Sequence, residues 1–368
     1  MSVEGTATGT ATGTARTSAA RISGGGDPSE APCRRNGVFT FRWQDHRDAF
    51  ARQGWVHVPQ GADPELLRAV HAHMGVASRR RPVTGRGIAG QKDQFVFEPP
   101  ARIGWTTGLF DVLAPLTGLP REAMVLSERH VKVYAPDADP EPEAHKDRLS
   151  SQIAVGVSVV VPPGSHLVLY PGDHREVNPF ISTGLRDSLQ PECRPAHILQ
   201  GSTQIEVHDA PGDVVIFPGS SMWHRRRRGA GTVNLYLKVN FLDLDPLGED
   251  PSTADRRSAT LAALGGSRTA LSRLVPVLGR RFDSVTRRQL RLGWQEVMSA
   301  DVWGHPPLPL SETDALVLRA VGSGEPWGAV IATVARQAPG VGIAGIEASL
   351  HRLAAGGAVD LLGSDLPR

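Results

Sequence analysis

Apolar and polar positions alternate in short runs through the middle of the chain. Val131 and Val133 alternate with Lys132 and Tyr134, and Val233 to Phe241 alternates again. Between them lie Ile153 to Val161, apolar and β-branched; Leu167 to Tyr170, halted by Pro171-Gly172; Gln204 to His208; and the apolar run Val214 to Phe217. A period of two sends successive side chains to opposite faces of a sheet. Short strands broken by Pro and Gly predict packed antiparallel sheets. The expected fold is mainly β with α: a double-stranded β-helix (jelly roll) with flanking helices.

The flanks differ. A helix is expected over 46–51 and a strand over 55–58, and Asp63-Pro64 opens a second helix reaching Met74, Asp as its cap and Pro in its first turn. Residues 79–93 are basic and glycine-containing and predict a loop. Beyond 253, helices are expected over 256–264, 267–279 and 283–299, followed by the hinge Pro306-Pro307-Leu308-Pro309. Ser311 to Asp314 forms a capping box, with further helices over 326–336 and 343–355. Gly356-Gly357 ends the last helix before a strand at Ala358 to Leu362, a winged-helix-like outline. The expected domains are a tail (1–35), a jelly roll (36–250), a helical extension (251–305) and the C-terminal module (306–368).

Composition changes this picture at the start of the chain. Residues 5–16 repeat Thr, Ala and Gly and cannot bury enough apolar surface to order themselves, so the tail is expected to be disordered. The net charge of +2 gives no basic field for nucleic acid. No apolar run approaches membrane-spanning length, and no membrane partner is expected. Two cysteines, Cys33 and Cys193, exclude a disulfide framework and fit a cytoplasmic location.

The chemistry lies in three places. In His145-Lys146-Asp147 the first and third side chains of an extended segment share a face and reach one metal ion. His224 emerges beyond the strand Val214 to Phe217, and a jelly roll brings it beside the pair. Two imidazoles and one carboxylate on one face leave three octahedral positions open, as in iron(II) oxygenases. Lys238 shares an inward strand face with Asn234, and an inward lysine calls for an anion. Tyr134 and Lys132 on the preceding strand, and Arg225 next to His224, are further candidates. Gly85-x-Gly87-x-x-Gly90 follows no strand and opens no helix, so it is read as loop.

These pieces resemble the phytanoyl-CoA dioxygenase-like branch of the iron(II)/2-oxoglutarate oxygenases. The resemblance is carried by His145-Lys146-Asp147, by Leu167 to Arg175, similar to that family's Pro-Gly-Ser-His-Arg turn with Asp173 for the serine, and by Gly212 to Phe217 leading to His224. It spans roughly 45 to 245. It implies a double-stranded β-helix, Fe(II) held by His145, Asp147 and His224, and oxidative decarboxylation of 2-oxoglutarate with O2. It also implies a basic residue beyond the second histidine for the co-substrate. Many members have arginine there; here Lys238, or one of Arg225 to Arg228, takes the place.

The expected function is hydroxylation of an unactivated C–H bond in a small molecule with polar or anionic groups, the latter from Arg225 to Arg228. The Ala- and Arg-rich composition points to bacterial specialised metabolism. Two alternatives stand beside it: a peptide or protein hydroxylase using the winged-helix module for partner binding, and a non-catalytic cupin-like sensor that binds DNA. The last helix carries Glu347 against Arg352 and His351, a weak charge for a DNA groove, so a scaffold role or homodimerisation through the C-terminal helices is preferred.

Overall fold

The alternation resolves into two antiparallel sheets. The structure, a computed structural model, describes residues 37–77, 82, 91–100, 105–172, 174–178 and 187–363. The expected tail 1–35, most of the expected loop 79–93 and Asp173 lie outside the described residues.

The larger sheet has the order β1-β7-β4-β9-β3-β2, with β1 Val56–Val58, β2 Lys92–Val96, β3 Val125–Tyr134, β4 Ile153–Val160, β7 Val214–Phe217 and β9 Val233–Asn240. The smaller runs β6-β5-β8, with β5 His166–Tyr170, β6 Ile205–Val207 and β8 Trp223–Arg227; an isolated bridge adds His145 beside His224. From β3 the chain crosses to His145, back to β4, over to β5 and β6, back to β7, over to β8 and back to β9. That winding is an eight-stranded jelly roll.

Register decides what each face does. Val131, Leu235, Val155 and Ile216 share the outer face of the larger sheet. They pack with Leu66 and Val70 of α2 (Pro64–Ala77) and Leu109 and Leu113 of α3 (Trp105–Thr117), each at most 1% exposed. Burying each such side chain stabilises by about 1.5–3 kcal/mol. Asp63 caps α2 as expected, accepting from the Glu65 N–H at 2.7 Å. α1 (Gln44–Gln53) covers the segment expected as helix. β2 and α3 were not anticipated: β2 begins at the last two residues of the basic stretch read as loop, 79–93, and runs on to Val96.

The inner face is split. Ala154, Leu167, Leu169, Val207, Val215, Phe217 and Met222 close one half of the barrel as an apolar core. The other half is polar. Lys92 and Gln94 of β2, Glu128, His130, Lys132 and Tyr134 of β3, and Asn234, Tyr236 and Lys238 of β9 face the same way, all under 9% exposed.

The C-terminal third differs from expectation. α4 (Pro251–Leu264) is present, but only a turn of helix, Arg268–Leu271, stands where 267–279 was expected helical, and β10 (Val275–Leu278) follows it. The expected helix 283–299 is a hairpin of β11 (Phe282–Gln289) and β12 (Glu296–Val302), joined by β13 (Leu308–Leu310), which overlaps the end of the expected hinge. Val285, Thr286 and Val297 favour strand. Gly293 (φ 71°) and Trp294 (φ 51°) turn the chain, and Ser284 and Thr286 donate across the hairpin to Asp301 Oδ2 at 3.1 and 2.8 Å. Then come α5 (Glu312–Ala320), α6 (Trp327–Gln337), α7 (Ile343–Ala355) and β14 (Val359–Leu362), the helix-helix-helix-strand order expected. β14 pairs with β10, from before the helices. Ala300 and Val302 share one core with Val317, Trp327, Val334 and Leu350, so packing is continuous across the expected boundary at 305/306. Among the described residues, no helix is long and apolar enough to cross a membrane.

Candidate metal centre

The smaller sheet places His145, Asp147 and His224. His145 and His224 pair through both backbone hydrogen bonds at 2.9 Å, with their rings 4.5 Å apart. Asp147 is fixed by its N–H to the Gly219 carbonyl at 2.9 Å and by Asn178, whose side-chain amide donates to the Asp147 carbonyl at 3.1 Å. Potential ligand atoms of the three residues lie within 4.8 Å of one another.

His224 Nδ1 donates to the Met222 carbonyl at 2.9 Å, which leaves Nε2 as the lone-pair nitrogen. That Nε2 lies 3.9 Å from Asp147 Oδ2, too long for a hydrogen bond. The gap suits an ion about 2 Å from each ligand. His145 Nδ1 is buried with no hydrogen-bond partner. Burial, with its neighbour His224, pushes His145 well below the usual histidine range, and burial lowers His224 to about 4. Both are therefore neutral near pH 7. Burial opposes ionisation of Asp147, yet Lys238 beside it holds the carboxyl well below its ordinary value. Two neutral imidazoles and a carboxylate are the donor set of a divalent transition metal, so the residues fit the iron implied by the sequence.

Lys238 differs from expectation in what it touches. Its Nζ donates to Asp147 Oδ1 at 2.5 Å and lies 3.4 Å from Glu128 Oε2. It ties down the carboxylate oxygen turned away from His224. Glu128 is 1% exposed, yet Lys238, Lys132 and Arg148 overcome its burial and bring its carboxyl to about 2. Asn234, Lys132 and Tyr134 face inward as expected, Lys132 directly opposite Asn234.

Arg225 does not join the site. β8 continues past His224, and its alternation puts Arg225 and Arg227 on the outer face, where Arg225 Nη1 lies 3.6 Å from Glu141 and Arg227 Nε lies 2.8 Å from it. Arg226 is the inward member, and it pairs with Asp209 at 2.7 and 3.1 Å. The expected cluster of free cations beside the metal is thus absent: β8 splits it between two faces. The sequence reading placed His224 beyond a strand ending at Phe217 and expected no strand at Trp223–Arg227, so it did not see this alternation.

The sequence reading missed Lys92, Glu128, Asn178 and Gly219. Extending the period of two back from Tyr134 through Lys132 and His130 reaches Glu128. Asn178 and Gly219 act from turns that carry no periodic signal.

No protein-family model matches the chain, and no curated protein matches its sequence. Among solved structures it is similar to the non-haem α-ketoglutarate-dependent epimerase SnoN from nogalamycin biosynthesis, with 18% identity and a TM-score of 0.40 over 54% of this chain and 80% of that one. It is similar to a Pseudomonas putida prolyl-4-hydroxylase, with 15% identity and a TM-score of 0.39 over 54% and 96%. A third is HygX from Streptomyces hygroscopicus with nickel, 2-oxoglutarate and hygromycin B bound, with 12% identity and a TM-score of 0.38 over 56% and 89%. These likenesses are distant, and function has to be read from the site.

Proposed function

We propose that the chain is an iron(II)- and 2-oxoglutarate-dependent oxygenase that hydroxylates a C–H bond of a small molecule in bacterial specialised metabolism. The observation that carries this reading is the convergence of His145, Asp147 and His224 at the mouth of a barrel whose interior is half lysine, tyrosine and amide. His145 and His224 would hold the ion as neutral ligands and Asp147 as the anionic one. When bound, iron(II) supplies the redox chemistry by which O2 oxidises the 2-oxo acid and the substrate.

The chain's own residues do the positioning. Met222 orients His224; Lys238 and Asn178 orient Asp147. Lys132, Tyr134 and Asn234 offer donors on the side where the co-substrate would lie. The apolar half of the barrel keeps water from the site. A carboxylate at position 147 fills the place a halide would need, which favours hydroxylation over halogenation. Since Arg225 to Arg228 do not line the metal site as a cluster, the expectation of an anionic substrate loses its support.

The test is succinate formation from 2-oxoglutarate across a substrate panel, with labelled O2, chloride present, and iron added or withheld. Iron-dependent succinate with one labelled oxygen in the product is expected. His145→Ala and His224→Ala are expected to lose metal and turnover. Equal turnover in either variant, or a chlorinated product, would overturn the assignment. The absence of succinate with every substrate, despite metal binding, would favour a sensor.

A further inference from the structure

We infer that the tip of the β11–β12 hairpin is a docking finger for an anionic bilayer surface, with Leu292 and Trp294 entering the interface and Arg288 and Arg291 meeting lipid phosphates.

Every residue from Arg287 to Glu296 is exposed. Leu290, Leu292 and Trp294 stand at the tip, 39%, 90% and 73% exposed. Leu292 and Trp294 are the most exposed large apolar side chains among the described residues; the next, Leu261, is at 49%. Single exposed leucines are ordinary, but three large apolar residues within one turn form a patch that calls for a partner. The backbone holds them outward. The Leu290 N–H donates to the Gln295 carbonyl at 2.7 Å, and the Gln289 side-chain amide donates to the Trp294 carbonyl. Trp294 has φ 51°, a left-handed conformation that bulky residues rarely adopt. The turn itself would favour glycine or asparagine there, so the turn does not account for the indole.

Charge decides what the knob fits. The tip carries Arg287, Arg288 and Arg291 against one acid, Glu296. Glu296 is taken by Arg287 at 3.0 Å, and Arg287 also lies 3.6 Å from Glu312. Arg288 and Arg291 have no carboxylate within 4.0 Å among the described residues. The covering surface must therefore offer apolar depth and negative charge together. A second copy does not. Grooves lie on both sides of the ribbon, and both are edged by arginine: Arg287 and Arg319 beside Val285 and Leu318, and Arg288 beside Leu290. A tip entering a copy's groove would set arginine against arginine. The knob is convex, so a protein partner would need a pocket shaped to it. A bilayer supplies fluid apolar depth beneath a layer of phosphates. Tryptophan concentrates at that boundary, and arginine lays its stem along the apolar side while its charge stays at the headgroups. Apolar insertion and basic attraction together anchor a protein that either alone would hold weakly. Such a contact needs no spanning segment.

The experiment is cosedimentation of the full chain with large unilamellar vesicles, either phosphatidylcholine alone or phosphatidylcholine and phosphatidylglycerol in equal parts. The protein is expected to pellet with the phosphatidylglycerol vesicles, to stay in solution with phosphatidylcholine alone, and to bind less at about 0.5 M salt. Leu292→Ser with Trp294→Ser, and separately Arg288→Glu with Arg291→Glu, should each lower the partition coefficient about 10-fold or more. All four side chains are exposed, so far-UV circular dichroism should not change. A protein that stays in solution with phosphatidylglycerol vesicles, or binds both vesicles alike, overturns the finger. So does full binding by either double variant. Light scattering after size exclusion separates the rival occupant: self-association that the double variants abolish, without vesicle binding, would assign the tip to a second copy.

Discussion

A Cβ added at Gly219 would stand 2.5 Å from Asp147 Oδ2 and 3.0 Å from the Ser151 carbonyl oxygen. The glycine thus leaves room for the carboxylate oxygen nearer His224. Gly219→Ala is expected to push that oxygen away and weaken metal binding about 10–100-fold while far-UV circular dichroism stays unchanged. Glu128 gives a second prediction. Its carboxyl falls to about 2 in the folded protein, well below its ordinary value of 4.5. A depressed carboxyl contributes stability that is present above the unfolded value and lost as pH falls from about 4.5 towards 2. Glu128→Gln should therefore lower stability near pH 7 by roughly 3 kcal/mol. Denaturant titrations of the two proteins should converge only as pH falls to about 2, and a difference that did not depend on pH would refute the ion-pair account. At this scale, a spacing of two residues and a strand-end histidine made His145, Asp147 and His224 legible. Which oxygen or nitrogen each partner occupies was not, because Lys238 and Asp147 meet across strands far apart in sequence.

Elements were legible where their pattern had one interpretation. Ser311 and Asp314 form the expected capping box: Asp314 accepts from the Ser311 N–H at 2.8 Å, and the Asp314 N–H donates to Ser311 Oγ at 3.1 Å. Asp314 also meets Arg352 of α7 at 2.7 Å, so the cap ties α5 to α7. Asp314→Ala is expected to cost about 1–2 kcal/mol, read as a shift in urea midpoint at constant slope. Asp314→Asn should recover part of it, since an amide oxygen still accepts from Ser311. The hairpin β11–β12 was illegible for the opposite reason. Its arginines and scattered apolar residues fit a helical face about as well as an exposed ribbon. The deciding contacts, Ser284 and Thr286 with Asp301, lie across the turn. β2 hid for lack of apolar alternation: Lys92 and Gln94 point into the polar half of the barrel, where inward side chains are not hydrophobic.

At the scale of the whole molecule, jelly roll and C-terminal third keep separate cores, and the polar turn Asp245 to Asp250 joins them. The jelly roll itself was legible, since its apolar strands alternate; the join was not, since it is made of carboxylates accepting backbone N–H groups. Glu249 Oε1 lies 2.6 Å from His130 Nε2 on β3. Asp245 accepts from the N–H groups of Glu249 and Asp250 at 3.0 and 3.1 Å. Asp250 serves both sides at once: Oδ2 accepts from the Leu126 N–H of β3 at 2.7 Å, while Oδ1 accepts from the Ser252 N–H and caps α4 at 2.8 Å. Asp250→Ala would remove the cap and strand a buried N–H on β3, a combined cost of about 2–4 kcal/mol. Asp250→Asn keeps one oxygen acceptor but turns the other into a donor. It should restore either the cap or the Leu126 bond, about half the loss. Chemical denaturation followed by tryptophan fluorescence checks both. Equal stability of Asp250→Ala and the unsubstituted protein would show that the two cores hold together without this residue.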